Sequence, residues 1–246
     1  MNERRERVYG LEAALAVLRV RPLDVRRIAY HPETGPLLGH YLRDAAARHV
    51  AYSEKPDVEL RAIAGSEHHE GVVLEVRERE LLDDAEVVER FGADRGALRL
   101  VALDGVENPH NIGAVMRSAA FLGCDGLVVH GRAEQPFGPA AVRVAEGGAE
   151  RLVLARVSDL AGVLGALAER GVAIVGTDAS ATEDARSFRY PRRTSIVFGS
   201  EGAGTSQAVR RTLTHTVGVP GTGAVESLNV SVAAGIVLAA ATRIFV

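Results

Sequence analysis

The reading of the fold turns on residues 217–241, VGVPGTGAVESLNVSVAAGIVLAAA. A short apolar run, read as a strand, ends at Val219, and Pro220, Gly221 and Gly223 then force a turn. Glu226, Ser227, Leu228 and Asn229 follow, in front of an apolar, alanine-rich run. A strand end, a Gly-rich loop and a capped helix start therefore meet in one place. Exposed backbone N–H groups at such a junction suit an anionic or polar small ligand. An ordinary strand–turn–helix unit is the alternative reading of this stretch alone. A membrane anchor is rejected. The clean apolar run at 232–241 is far below the ~20 residues a spanning helix needs, and Asn229, Ser231, Thr242 and Arg243 interrupt the longer stretch to Val246.

The chain has 246 residues, of which 47% are hydrophobic and 25% charged. This is an ordinary globular composition with room for one large or two modest domains. The first residues, MNERRERVYG, are charged and no apolar segment of a signal peptide follows them, so a cytoplasmic location is expected. A lone cysteine, Cys124, cannot form an intramolecular disulfide and points to no metal cluster. The net charge of −3 argues mildly against a generic nucleic-acid binder. Of the 29 basic residues, however, all but Lys55 are arginine, the better residue for planar, bidentate phosphate contacts. The distribution of charge matters more than its total.

Residues 1–80 read as a small α/β unit, with helices at 11–18 and 37–48 and strands at 25–30, 50–52 and 71–77. The charged segment 81–97, with one short helix around 85–91, reads as a linker. From residue 98 apolar strands alternate with helices to the end. Strands are expected at 98–103, 126–130, 152–157, 172–177, 195–198 and 214–219, and helices at 111–122, 159–169, 207–211 and after the third loop. That alternation indicates an α/β fold with a mostly parallel sheet covered on both faces.

Ligands of open α/β sheets sit beyond the carboxyl ends of the strands, and three strand ends here carry unusual loops. The first is DGVENPHNIG at 104–113, running into a helix that holds Arg117. Asn108-Pro109 starts a turn and Asn111 is suited to cap the helix. The second is GSEGAG at 199–204. Its G-x-x-G-x-G spacing is not the dinucleotide fingerprint and it falls late in the chain, which disfavours a nucleotide-dependent oxidoreductase. Glu201 inside it would repel a phosphate. The third is the opening stretch.

Taken together, ENPHNIGAVMRSA, IVFGSEGAG and VGVPGTGAVESLNVSVAAGIVLA resemble the three motifs of the SpoU family of RNA ribose methyltransferases, within the knotted SPOUT group. The likeness covers roughly residues 98–246. VYGLEAALAVL and HHEGVVLEV resemble, more weakly, the ribosomal-protein-like substrate-binding domain of many members, which often carry Gln where this chain has Glu70. The resemblance implies a C-terminal deep trefoil knot, a homodimer with active sites at its interface, and S-adenosylmethionine as cofactor. It implies methyl transfer to a ribose 2′-hydroxyl of RNA, ribosomal RNA before tRNA. It carries the family's functional residues onto Asn111, Arg117, Glu201, Ser227 and Asn229, and places the cofactor against backbone around Thr177, Gly199, Val219 and Leu228. A catalytically silent RNA-binding or assembly protein that keeps the fold is the alternative from another class.

Arginine is a poor general base near neutral pH, so Arg117 is poorly suited to take the proton. A grip on phosphate or on a developing alkoxide suits it better. Arg186, Arg189, Arg192 and Arg193 surround Phe188 and Tyr190, a composition suited to phosphates and stacked bases. A solvated loop is the alternative there, and Arg26, Arg27, Arg210 and Arg211 could extend such a patch. His68-His69-Glu70 lacks a second ligand cluster, so no metal is expected.

Overall fold

A computed structural model describes residues 3–93, 96–132 and 135–242. In chain order its principal elements are β1 (Arg5–Tyr9), α1 (Leu11–Val20), β2 (Val25–Tyr30), α2 (Gly35–Ala47), β3 (Ala51–Glu54), α3 (Asp57–Ala64), β4 (Val72–Arg77), α4 (Asp84–Ala93), β5 (Leu98–Asp104), α5 (Pro109–Phe121) and β6 (Gly126–His130). Then come α6 (Pro139–Val144), β7 (Val153–Arg156), α7 (Leu160–Glu169), β8 (Ala173–Thr177), β9 (Arg193–Gly199), α8 (Gln207–Arg210), β10 (His215–Val217) and α9 (Val230–Thr242). The chain forms two compact units. One holds the chain up to Glu80 together with Phe137–Arg151; the other holds Leu81–Pro136 and the chain from Leu152. Asp94 and Arg95 of the expected linker, and residues 243–246 of the third-motif segment, lie outside the described residues.

The first unit is built on a mixed sheet of order β1-β4-β2-β3. Strand β4 runs antiparallel to β1 and β2, and β2 runs parallel to β3. Helix α1 buries Ala13, Ala14, Val17 and Leu18, one stripe at helical spacing. Helix α3 lays Leu60 and Ala64 on Tyr9, Ala29 and Val73 of the sheet. Sequence periodicity missed β1, α3 and α6. Strand β1, RERVY, runs three charged residues into two apolar ones and so shows no alternation, and its charges belong on the sheet edge it forms. Arg21 joins Glu6 at 2.6 Å and Glu150 at 2.9 Å, and Arg79 joins Glu150 at 2.9 Å. Glu150 is thereby only 5% exposed, and its segment is fixed to the sheet. The departure at Glu70 also finds a place. The left-handed backbone of Glu70, with φ 51°, lets its carboxylate accept the Leu11 N–H at 3.0 Å and Arg143 at 3.3 Å. It supplies an acceptor that the Gly10 N-cap of α1 lacks.

The second unit is a six-stranded sheet of order β10-β8-β9-β5-β6-β7, parallel throughout. The near-continuous burial of β5 is what a strand covered on both faces requires. Val87 and Phe91 of α4 and Leu160, Leu164 and Leu167 of α7 pack on Leu100, Val128, Ile174 and Val197. Alternation turns Val101 and Leu103 to the opposite face. There α5 and α9 pack on each other, touching β6 and β9. Arg99, at the amino end of β5, donates to the carbonyls of Ala241, Pro191 and Arg192, tying the last turn of α9 to the entry of β9.

Candidate active site

Parallel pairing brings the ends of β5, β6, β8, β9 and β10, at Asp104, His130, Thr177, Gly199 and Val217, to one edge of the sheet. The three loops singled out in the sequence leave from that edge and converge. Asn111 Nδ2 donates to Glu201 Oε1 at 3.0 Å, and Asn229 Nδ2 donates to the same oxygen at 2.6 Å. Asn229 Nδ2 also reaches Asn111 Oδ1 at 3.0 Å, and the Val230 N–H points at Glu201 Oε1 at 3.4 Å. One carboxylate oxygen thus gathers donors from two helix starts. Glu201 reaches them because the loop closes on itself through paired bonds between Ser200 and Gly204, with Gly202 and Gly204 in left-handed backbone.

One capping expectation is corrected. Asn108, not Asn111, caps α5, accepting the His110 N–H at 2.8 Å. Helix α5 therefore starts earlier than the expected 111, and Asn111 sits in its first turn with its amide free for the other loops. On α9, Asn229 caps through Oδ1, taking the Ser231 N–H at 2.9 Å and the Ser231 hydroxyl at 2.6 Å. Ser227 is exposed and makes no side-chain hydrogen bond among the described residues. Arg117 is exposed on α5, about 9 Å along the helix axis from Asn111.

The residues expected to hold the cofactor surround the same edge. Thr177 donates its hydroxyl to the Val197 carbonyl at 3.1 Å. Gly199 has no room for a side chain, because a Cβ there would collide with the backbone of Gly204 and Thr205. Val219 is half-buried, and Leu228 is 42% exposed. Every residue of 220–229 is exposed. Among the described residues only one backbone N–H between 219 and 229, that of Ala224, finds an acceptor in the chain, the Thr222 hydroxyl at 3.4 Å. Unengaged backbone donors beside Val225 and Leu228 match a ligand with polar edges and a flat apolar ring, as an adenosyl group has. A separate surface groove of about 650 Å³ between α4 and α7 is lined by none of these residues.

Sequence reading missed a buried aspartate and its half-buried histidine partner beneath the loops. Asp104, 4% exposed, accepts the Ser206 N–H at 2.6 Å through Oδ2 and meets His130 Nδ1 at 3.1 Å through Oδ1. It ties the end of β5 to the start of α8, just past the Glu201 loop. An acidic residue ending an apolar strand was the available signal.

The four arginines of 186–193 are not gathered at this edge. Arg186 lies close to the clasp at 183–185 and Gly218 but is bound to Asp184 at 2.6 Å. Arg189 and Arg192 are exposed. Arg193 is turned inward to the Phe91 carbonyl at 2.6 Å. It opens β9 at the amino edge, about 20 Å along the strand from Gly199. Phe188 packs edge-on against Tyr190, whose buried hydroxyl donates to the Ala185 carbonyl, so Tyr190 is structural.

Residues 99–239 match the SpoU rRNA Methylase family, and residues 7–82 match the domain described as RNA 2′-O ribose methyltransferase substrate binding. The chain belongs to the SpoU rRNA methylase family and is an S-adenosylmethionine-dependent RNA methyltransferase. It is 33% identical over 237 residues to a 23S rRNA (guanosine-2'-O-)-methyltransferase RlmB of a Burkholderia species, covering 96% of this chain and 95% of that one. It is 33% identical over 243 residues to an uncharacterized tRNA/rRNA methyltransferase of Mycobacterium avium, covering 98% of this chain and 78% of that one. The crystal structure of the SpoU methyltransferase AviRb from Streptomyces viridochromogenes, in complex with AdoMet, superposes with a TM-score of 0.81 at 27% identity, covering 97% of this chain and 90% of that one. No described helix is long and apolar enough to cross a membrane.

Proposed function

We propose that this protein methylates a ribose 2′-hydroxyl of 23S ribosomal RNA. The observation that carries the reading is the convergence of Asn111, Glu201 and Asn229 beside a loop whose backbone donors are unengaged. The name of the Burkholderia relative favours 23S RNA over tRNA.

When bound, S-adenosylmethionine supplies an electrophilic methyl on a sulfonium. Backbone around Thr177, Gly199, Val219 and Leu228 would hold it, with the exposed amides of 221–228 closing on it. The ribose oxygen gains the methyl as its own proton leaves, so the chain must orient that oxygen and ease the loss of the proton. The Arg117 guanidinium steadies the developing alkoxide or a neighbouring phosphate rather than taking the proton. Asn111, Glu201 and Asn229 act as one bolt that fixes the three loops. Ser227, with its hydroxyl uncommitted, is left to meet substrate or cofactor. Positioning of this kind supplies much of the rate of a displacement reaction.

The same proposal holds that residues 1–80 bind RNA through a ribosomal-protein-like domain, that 81–97 link, and that 98–246 catalyse around a trefoil knot, in the cytoplasm. The clasp of residues 183–185 about Gly218 supports the knot, since the Gly218 N–H donates to Glu183 and its carbonyl accepts from Ala185. A homodimer through α5 and α9 fits the exposed Phe121, Val225 and Val232. The test is transfer of labelled methyl to 23S and tRNA transcripts, with the 2′-O-methyl site mapped. Methyl appearing in tRNA alone refutes the ribosomal substrate, and methyl in neither RNA favours the assembly-protein alternative.

A further inference from the structure

The outer face of the first unit's sheet is only half covered. Helix α3 lies on the Tyr9, Ala29 and Val73 end of that face. Strand register places Arg7, Glu75 and Arg27 in one row across β1, β4 and β2, with Arg5 and Arg77 in the row next along the strands. Period-two alternation turns all five to the same side as Tyr9 and Val73. All of them but Arg77 line a concavity of about 240 Å³, together with Glu6, Ile63 and Val73.

Glu75 pairs with Arg5 and Asp24 with Arg77, so the uncompensated positive charge of this face rests on Arg7 and Arg27. Three of the four arginines are held in place from below or beside. Arg7 Nη1 donates to the Ile63 carbonyl at 2.8 Å, Arg5 pairs with Glu75 at 2.6 Å, and Arg77 pairs with Asp24 at 2.7 Å. Arg27 is exposed and makes no ion pair or side-chain hydrogen bond among the described residues. Guanidinium groups fixed in advance on adjacent strands lose little freedom on meeting an oxyanion. Strands β1 and β2 flank β4, so Arg7 and Arg27 stand about 10 Å apart on either side of Glu75, a spacing for two phosphates rather than one. Ile63, Val73 and Ala29 give the concavity an apolar floor. Glu75 would repel a phosphate set directly over it, which directs the anion toward Arg27 and Arg7.

We infer that this face holds a single-stranded stretch of the RNA substrate, with backbone phosphates on Arg27, Arg7 and Arg5 and a ribose or base against the apolar floor. The inference rests on the RNA-methylating function proposed above and adds a second, remote contact to it. A phosphate-and-base ligand fits both the charge and the floor.

The experiment compares wild type with Arg5→Ala/Arg27→Ala and, as a control outside the cluster, Arg43→Ala on α2. Binding of a fluorescent single-stranded RNA is followed by anisotropy from low to moderate salt, beside steady-state methyl transfer and thermal melts. The double variant is expected to bind about tenfold more weakly, with a salt slope lower by about one to two. It should melt like wild type, raise KM for RNA and leave kcat unchanged. Binding, salt slope and KM within twofold of wild type overturn the inference. Anisotropy needs no turnover. If the wild type transfers no methyl to any RNA, the functional reading fails, while the binding arm still decides this site.

Discussion

Two loops that adjoin the end of β10 differ in how they spend their hydrogen bonds. The segment 178–192 is tied to itself and to β10 at several points. Asp178 receives the Ser180 hydroxyl and N–H, Ala185 bonds to Gly218, Ser187 and Phe188 bond back to Asp184, and Tyr190 closes on Ala185. Bonds from Ser180 hold the Asp178 carboxyl below its usual range, and burial pushes the Tyr190 phenol up. The segment 219–229 has almost none of this, though its ends are pinned at Val217 and Asn229. One loop is finished by the chain itself. The other carries its polar groups outward, as a loop completed by a ligand must.

The comparison can be tested by attacking what pins the open loop. The largest effect is expected from Glu201→Ala, which removes the shared acceptor of Asn111, Asn229 and Val230. Misplacement of about 1 Å near a reacting centre costs about 100-fold in rate, so single-turnover methyl transfer should fall by that order. An unchanged rate would deny the bolt any functional role. Gly199→Ala comes next, since its Cβ must displace the Gly204–Thr205 backbone. Overpacking of this kind costs about 1–3 kcal/mol, so calorimetry should find weaker S-adenosylmethionine binding together with a lower melting temperature.

Asp104→Asn should cost about 1–2 kcal/mol in denaturant unfolding, because its amide cannot accept from both Ser206 and His130. It should lower kcat more than it raises the KM for cofactor. Smaller still is the effect of cofactor on hydrogen exchange: added S-adenosylmethionine should slow exchange at 221–228 and leave 178–192 as it was. The smallest concerns Cys124, whose thiol burial pushes up to about 12, with Asp125 adding and Arg99 opposing. A pKa raised above the unfolded value of about 9 gives stability that is complete below pH 9 and lost as pH rises toward 12. Cys124 should accordingly resist a thiol reagent at pH 8 until denaturant is added.

The sequence made the parallel sheet and the three loops legible because apolar strands, glycines and turn residues leave local patterns. It did not reveal who caps what. Asn108 and Asn111 are equally good caps on paper, and only the meeting of three distant loops at Glu201 commits Asn111 elsewhere. The arginine run at 186–193 looked like one patch because its members are close in sequence. The chain there crosses from one edge of the sheet to the other, so nearness in sequence becomes separation in space. Asp104 and His130 lie 26 residues apart and meet only through the register of β5 and β6. Helix α3 and strand β1 were too short and too charged to show a period.

The association of Phe137–Arg151 with the first unit has a consequence for biosynthesis. A ribosome making this chain releases β1 to β4 long before Glu150, the carboxylate that Arg21 and Arg79 share. Until Glu150 emerges, those two guanidinium groups share only Glu6 and Asp24. The nascent unit must wait, incompletely paired, while β5, α5 and β6 are synthesised. A fragment cut at residue 80 would preserve that waiting state, so the shorter piece is a poor stand-in for the domain in the whole protein.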